Sequence, residues 1–137
     1  MTTKFQPLPA PGDIVWCQFP EIIGKPGPKS RPALVTAISA SDHAVEVVYG
    51  TSQKTNRIYP GEFVIDPADP GFSVSGLAAR TKFDFNQRYK LPFDSDWFAI
   101  APGYSGQLPV PKLGVLHPSY MPVAKKAVAS MKPKKKT

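Results

Sequence analysis

Short runs of β-branched and aromatic residues, bounded by proline, glycine and other turn formers, dominate the first part of the chain. Residues 12–19, 32–38 and 43–49 each have this character and predict three strands. Residues 39–42 are turn formers, so the second and third strands are predicted to form a hairpin. Residues 32–38 are apolar on both faces, which indicates a strand in the centre of a sheet.

Weaker strand patterns follow, and the last pattern of the chain has a different period. Strands are predicted at residues 62–66, 80–85, 88–93 and 113–116. Apolar residues then recur at helical spacing: Tyr120, Val123, Ala124, Ala127, Val128 and Met131. They predict a helix at about residues 119–131, with Ser119 as its cap. Short strands followed by one helix favour a mainly β fold, a small and strongly bent antiparallel barrel with a C-terminal helix, as one domain over residues 1–131.

The net charge of +7 is unevenly distributed along the chain. Through Pro118 there are 11 Lys and Arg against 10 Asp and Glu, a net charge of +1, whereas the remaining residues contain six lysines and no acid. Residues 132–137 are too polar to pack, so a disordered basic tail is predicted there. Within the body, five cations lie near one another in sequence and could hold a polyanion: Lys25, Lys29, Arg31, Lys54 and Arg57.

Several kinds of site are disfavoured by the residues present. His43 and His117 are far apart in sequence, and Cys17 is the single cysteine, so no metal-ligand spacing occurs and neither a metal nor a cofactor is expected. The single cysteine also rules out an internal disulfide, which suits the reducing cytoplasm. No run of 18 apolar residues occurs, so a membrane span is not expected.

Three motifs at fixed order carry the strongest functional signal: residues 11–19 (PGDIVWCQF), 30–36 (SRPALVT) and 48–55 (VYGTSQKT). Their order resembles the PemK/MazF family of toxins of type II toxin–antitoxin systems, well from about residue 12 to 59 and weakly to about residue 90. The resemblance implies an SH3-like barrel with a C-terminal helix and metal-independent endoribonuclease activity on single-stranded RNA. It also implies a homodimer in the cytoplasm that a cognate antitoxin neutralises.

The resemblance implies a catalytic pair as well. The catalytic arginine and threonine of the family match Arg31 and Thr51 in this sequence. This chemistry is plausible because RNA carries its own nucleophile, the ribose 2′-hydroxyl, and a guanidinium binds phosphate oxygens with two parallel donors. Further residues are predicted to bind RNA: Lys25, Lys29, Ser52, Gln53, Lys54, Arg80 and Lys82.

A third catalytic group is left open, with Arg80, Thr81, Lys82 and Asp84 as candidates without assigned roles. Alternating surface charges on a strand explain these residues equally well. For Trp16 and Tyr49, core packing is favoured over stacking on bases. The leading alternative function is a non-catalytic SH3-like barrel that binds nucleic acid or protein, and a weaker one is a toxin directed at gyrase.

Overall fold

The computed structural model describes residues 2–20, 24–27, 29–100 and 110–131. Within them, six strands occur: β1 (Asp13–Cys17), β2 (Arg31–Ser39), β3 (Ala44–Thr51), β4 (Glu62–Ile65), β5 (Thr81–Pro92) and β6 (Lys112–Val115). Short 3-10 helices form at Ser73–Ser75 and Pro118–Tyr120, and the second leads directly into helix α1 (Met121–Ala129). The basic tail predicted at residues 132–137 lies outside the described residues.

The strands form one antiparallel sheet in the order β4-β5-β3-β2-β1-β6. The prediction that residues 32–38 form a central strand is confirmed, since β2 pairs with β3 on one side and β1 on the other. The predicted hairpin between β2 and β3 is also confirmed. The mainly β, antiparallel architecture with a C-terminal helix is therefore the one that the hydrophobic pattern indicates.

One long strand replaces the two strands predicted at residues 80–85 and 88–93. Strand β5 runs through both, but its register against β3 jumps from Val48↔Arg88 to Tyr49↔Asp84. The Asp84 carboxylate accepts hydrogen bonds from the backbone N–H of Asn86 at 2.9 Å and from Gln87 Nε2 at 3.3 Å, which stabilises this irregularity. The irregularity bends β5, so that its first half lies between β3 and β4 while its second half pairs with β3.

The sheet is buried on both faces. One cluster contains side chains from β1 to β5 together with the helix, including Ile14, Leu34, Val48, Phe63, Ile65, Phe83, Tyr120 and Ala124. Leu113 of β6 packs against the same cluster, so the sheet curls around this core. The alternate residues of β1 to β3 enter a second cluster on the other face, where Val15, Val35 and Val47 pack. This double burial explains why the central strands are apolar at nearly every position.

Helix α1 covers the first cluster with a narrower stripe than the sequence predicts. Ala124 and Ala127 are buried, whereas Val123 and Val128 are 41% and 48% exposed. The cap also differs from the prediction: His117 Nδ1 accepts a hydrogen bond from the backbone N–H of Ser119 at 3.0 Å. The preceding 3-10 turn shifts the start of the α-helix to Met121. Val123 and Val128 lie at the two edges of the predicted stripe, which is why they are more exposed than Ala124 and Ala127 at its centre.

Candidate active site

Arg31 begins β2 and Thr51 ends β3, so both lie at the same end of the central hairpin. The register Ala33↔Tyr49 and Leu34↔Val48, continued by two residues, places Arg31 opposite Thr51. A Cβ atom built on Gly50 would lie 2.6 Å from the carbonyl oxygen of Pro32, which shows that the strands are still in close contact at this end. Opposed residues of an antiparallel pair project from the same face of the sheet. The two motifs are therefore brought together by strand pairing.

A cavity of about 350 Å³ opens beside this pair. One side of it is polar and is formed by Ser30, Arg31, Thr51 and Ser52. The other side is apolar or small and is formed by Trp16, Leu77, Ala78, Ala79 and Leu113. Among the described residues that line the cavity, Arg31 is the one ionisable side chain. A cavity lined by a single cation and several hydroxyls suits an anion with an apolar neighbour, such as a phosphate attached to a nucleoside.

Arg31 forms no ion pair with a carboxylate among the residues that the structure describes. Its guanidinium carbon lies 5.9 Å from the centre of the Tyr49 ring, a cation–π arrangement. The Tyr49 ring in turn packs edge-on against Phe19, with the ring centres 5.0 Å apart. The aromatic support orients the guanidinium and leaves its N–H groups available to a phosphate.

The hydroxyl of Thr51 has a defined role in the following turn. Thr51 Oγ1 accepts a hydrogen bond from the backbone N–H of Gln53 at 3.1 Å. Because the hydroxyl oxygen accepts this bond, its own proton remains available for donation. Ser52 lines the cavity beside Thr51, whereas Gln53 itself does not.

The apolar wall is held by close backbone contacts that involve two glycines. Gly76 has a φ of +70° and lies against the carbonyl of Leu113, where a Cβ atom would collide. Gly114 lies equally close to the carbonyls of Val74 and Ser75. Only residues without a side chain permit this approach, which brings residues 74–76 against β6 and leaves residues 76–79 beside the cavity.

The predicted RNA-binding lysines of the loops do not line the cavity. Lys25 and Lys29 are exposed in the connection between β1 and β2, just before Arg31. Lys54 is exposed in the loop after Thr51 and has a φ of +53°. Their role in RNA binding stays a prediction.

Arg80 and Lys82 have intramolecular partners. Arg80 forms an ion pair with Asp66, and its Nη2 donates to the carbonyl of Thr55 at 3.2 Å. Lys82 is buried, and its Nζ lies 3.2 Å from Glu62 Oε1. The pKa of Asp66 is lowered, first by the hydrogen bond from the backbone N–H of Ala68 and then by Arg80. Neither cation lines the cavity, and their predicted role in RNA binding remains untested.

The other candidates for a third catalytic group have structural contacts. Thr81 lines the cavity, but it is buried and its hydroxyl donates to the carbonyl of Ala79 at 2.9 Å. Asp84 stabilises the irregularity of β5 and does not line the cavity.

Sequence reasoning missed two parts of the cavity. Trp16 is half-buried and forms part of the cavity wall, whereas the sequence favours a place for it in the core. The wall at residues 76–79 and Leu113 comes from segments far apart in sequence. Gly76 and Gly114 were the available signal, because a glycine within or beside a strand often marks a close backbone approach.

Two classes of feature are absent from the described part of the chain. No group of three or more His, Cys, Asp or Glu side chains is arranged to bind a metal ion in residues 2–20, 24–27, 29–100 and 110–131. Over the same ranges, α1 and the shorter helical turns are too short to cross a membrane.

Comparison with known proteins agrees with the fold described above. The chain aligns with a solved endoribonuclease from a mycobacterial species at 18% sequence identity, with a TM-score of 0.54 and 92% of each chain covered, a likeness of fold. No curated protein matches the chain. Residues 10–91 match the family model of the PemK-like, MazF-like toxins of type II toxin–antitoxin systems, so the resemblance seen in the motifs is confirmed. These 82 residues include β1 to β4 and nearly all of β5, and on this evidence the chain belongs to that family of toxins.

Proposed function

We propose that this toxin is a metal-independent endoribonuclease that cuts single-stranded RNA in the cavity between Arg31 and Thr51. The observation that carries the proposal is the meeting of two separate motifs in one cavity, which Arg31 at the start of β2 and Thr51 at the end of β3 both line. The likeness of fold to a solved endoribonuclease supports the same activity.

The cleavage step uses the substrate's own nucleophile. The 2′-oxygen attacks the adjacent phosphorus, and the bond from phosphorus to the 5′-oxygen of the next nucleotide breaks. The products are a 2′,3′-cyclic phosphate and a 5′-hydroxyl. The proton of the 2′-hydroxyl passes to water, since Arg31 is the one ionisable side chain among the described residues of the cavity.

The protein contributes positioning and charge. Arg31 donates to the non-bridging phosphate oxygens, whose negative charge increases in the transition state. The Thr51 hydroxyl, which already accepts from the N–H of Gln53, donates a hydrogen bond to a phosphate oxygen, and water supplies the proton that turns the departing 5′-oxygen into a hydroxyl. Removing one such donor from an enzyme costs about 10²- to 10³-fold in rate.

The predicted residues of the two loops beside Arg31 and Thr51 bind the RNA on either side of the cleaved bond. Ser52 acts within the cavity, while Lys25, Lys29 and Lys54 contact phosphates from the two loops that flank it. Gln53 contributes from the turn that follows Thr51. Because these contacts are to phosphates, they add affinity that falls as salt rises.

Family membership supports two protein partners, a cognate antitoxin and a second copy of the chain, for a toxin acting in the cytoplasm. An apolar groove of about 390 Å³ between Tyr59 and Val123 offers surface of the kind that protein partners cover. Expression without the antitoxin is expected to arrest growth.

The test is cleavage of a single-stranded RNA in excess EDTA, beside a substrate with one 2′-deoxyribose at the cleaved position. The RNA should be cut and the substituted substrate should stay intact, with a cyclic phosphate at the product end. Activity that disappears in EDTA and returns with magnesium would show a different class of nuclease. RNA that binds without being cut would instead support the non-catalytic barrel.

A further inference from the structure

The side chain of Lys82 lies beneath the loop that joins β3 to β4, residues 52–61. It is only 7% exposed, and its Nζ contacts three oxygens. It donates to the carbonyls of Lys54 at 3.2 Å and Arg57 at 2.9 Å, and it forms an ion pair with Glu62 Oε1 at 3.2 Å. An ammonium group has three protons, so each has an acceptor within the protein.

Two neighbours extend the same contacts along the loop. Glu62 Oε1 also accepts a hydrogen bond from the backbone N–H of Tyr59 at 2.7 Å. Arg80 Nη2 donates to the carbonyl of Thr55 at 3.2 Å. The carbonyls at 54, 55 and 57 therefore turn toward cations from the start of β5, while the side chains of Lys54 and Arg57 are exposed.

This arrangement adjoins the proposed catalytic site. Lys82 is the partner of Thr51 in the pairing of β3 with β5, and Ser52 begins the loop. Lys54, whose carbonyl Lys82 holds, has a φ of +53°, a conformation that non-glycine residues adopt infrequently. A buried charge is costly unless it is fully paired, and an apolar side chain would serve simple packing better.

We propose that Lys82 is a positioning residue for RNA cleavage, acting through the 52–61 loop. Together with Glu62 it fixes the loop, so that Thr51 and Ser52 keep their places in the cavity and Lys54 and Arg57 face the RNA. Lys82 thus raises the rate of RNA cleavage without contacting the RNA. The proposal rests on the proposed function, because it concerns the rate of the same cleavage.

The test compares Lys82→Met with wild type and with the control Lys90→Met. Lys90 lies on the same strand and forms an exposed ion pair with Asp42 at the far end of β5, so its removal takes away the same charge without touching the loop. Cleavage is measured as a single-turnover rate at saturating RNA, and hydrogen exchange is followed at the backbone amides of residues 52–59 and 61. We expect Lys82→Met to lower the rate at least tenfold and to speed exchange in the loop, since small displacements of reacting groups are costly.

The Lys82→Met variant leaves the Glu62 carboxylate without its ion-pair partner, and this loss could unfold the protein. Two further variants keep the test decisive in that case. Glu62→Gln keeps an oxygen for Lys82 and Tyr59, and a smaller loss in the same direction is expected. Lys82→Met/Glu62→Gln removes both charges and still lacks donors for the Lys54 and Arg57 carbonyls, so its rate should stay low while its melting temperature recovers. A KM that rises while the saturated rate stays at the wild-type value would also contradict positioning of Thr51.

The outcomes separate this proposal from the proposed function. A wild-type protein that does not cleave RNA overturns both. A wild-type protein that cleaves, beside a folded double variant that cleaves equally fast with unchanged exchange in the loop, overturns the positioning role alone.

Discussion

Gly50 of β3 lies against the ring of Phe83 of β5, so closely that a Cβ atom on Gly50 would come within 2.7 Å of the ring carbon Cε1. The two residues are partners in the β3–β5 register, and Phe83 is fully buried. Gly50 immediately precedes Thr51, so the packing of the core and the position of the proposed catalytic hydroxyl depend on the same contact.

Gly50→Ala is therefore expected to destabilise the fold and to impair cleavage. The added methyl group must displace Phe83 or push β3 from Pro32, and overpacking of this kind typically costs about 1–3 kcal/mol. Thermal unfolding and the cleavage rate of the folded fraction measure the two effects. Ala37→Val is the control, since it adds methyl groups at an exposed position of β2. Wild-type stability for Gly50→Ala would contradict the close packing described.

Arg31→Ala is expected to lower the cleavage rate by about 10²- to 10³-fold while leaving the fold intact, because the guanidinium is proposed to stabilise charge on the phosphate. Arg31→Lys should recover little, since lysine lacks the two-pronged donor geometry. Arg88→Ala is the matched control, because Arg88 is exposed on the other half of β5 and carries the same charge. Cleavage by Arg31→Ala at the wild-type rate would refute the assignment.

Two substitutions of Thr51 test the role of its hydroxyl, and one substitution of Ser52 tests the role of the neighbouring hydroxyl. Thr51→Ser keeps the hydroxyl that Gln53 N–H contacts and should retain most activity, whereas Thr51→Val removes the hydroxyl and should lose about as much rate as Arg31→Ala. Ser52→Ala should mainly raise KM. Single-turnover rates over a range of RNA concentrations distinguish the two effects, and equal activity of Thr51→Ser and Thr51→Val would exclude a chemical role for the hydroxyl.

Asp66 is expected to contribute to the acid sensitivity of the fold. Its pKa in the folded protein is lowered by the Ala68 N–H and by Arg80, so its contribution to stability is complete above the ordinary aspartate pKa of about 4. That contribution is lost as the pH falls through the lowered pKa. Asp66→Asn should therefore be less stable than wild type at pH 6, with a melting temperature that falls less steeply below pH 4. Parallel curves for the two proteins would contradict this.

Local pattern was sufficient to place most strands of this protein. The hairpin of β2 with β3 follows from two apolar runs and a short turn, and β2 is central because both its faces are apolar. The continuous β5 was not predictable in this way. Its irregularity depends on the Asp84 carboxylate and on Phe85 N–H, which donates to the carbonyl of Gly61, a residue distant in sequence.

The sequence by itself determined the family and the motif residues, because residues 10–91 match the family and Arg31 and Thr51 stand at the strand ends of one hairpin. Tertiary structure alone decided what the remaining charges do. Lys82 and Arg80 look like surface cations on an alternating strand, yet their partners are carbonyls of another loop and acids from β4 and the segment after it. The partner of a charge is set by the packing of distant segments, and a pattern of period two along one strand carries no information about it.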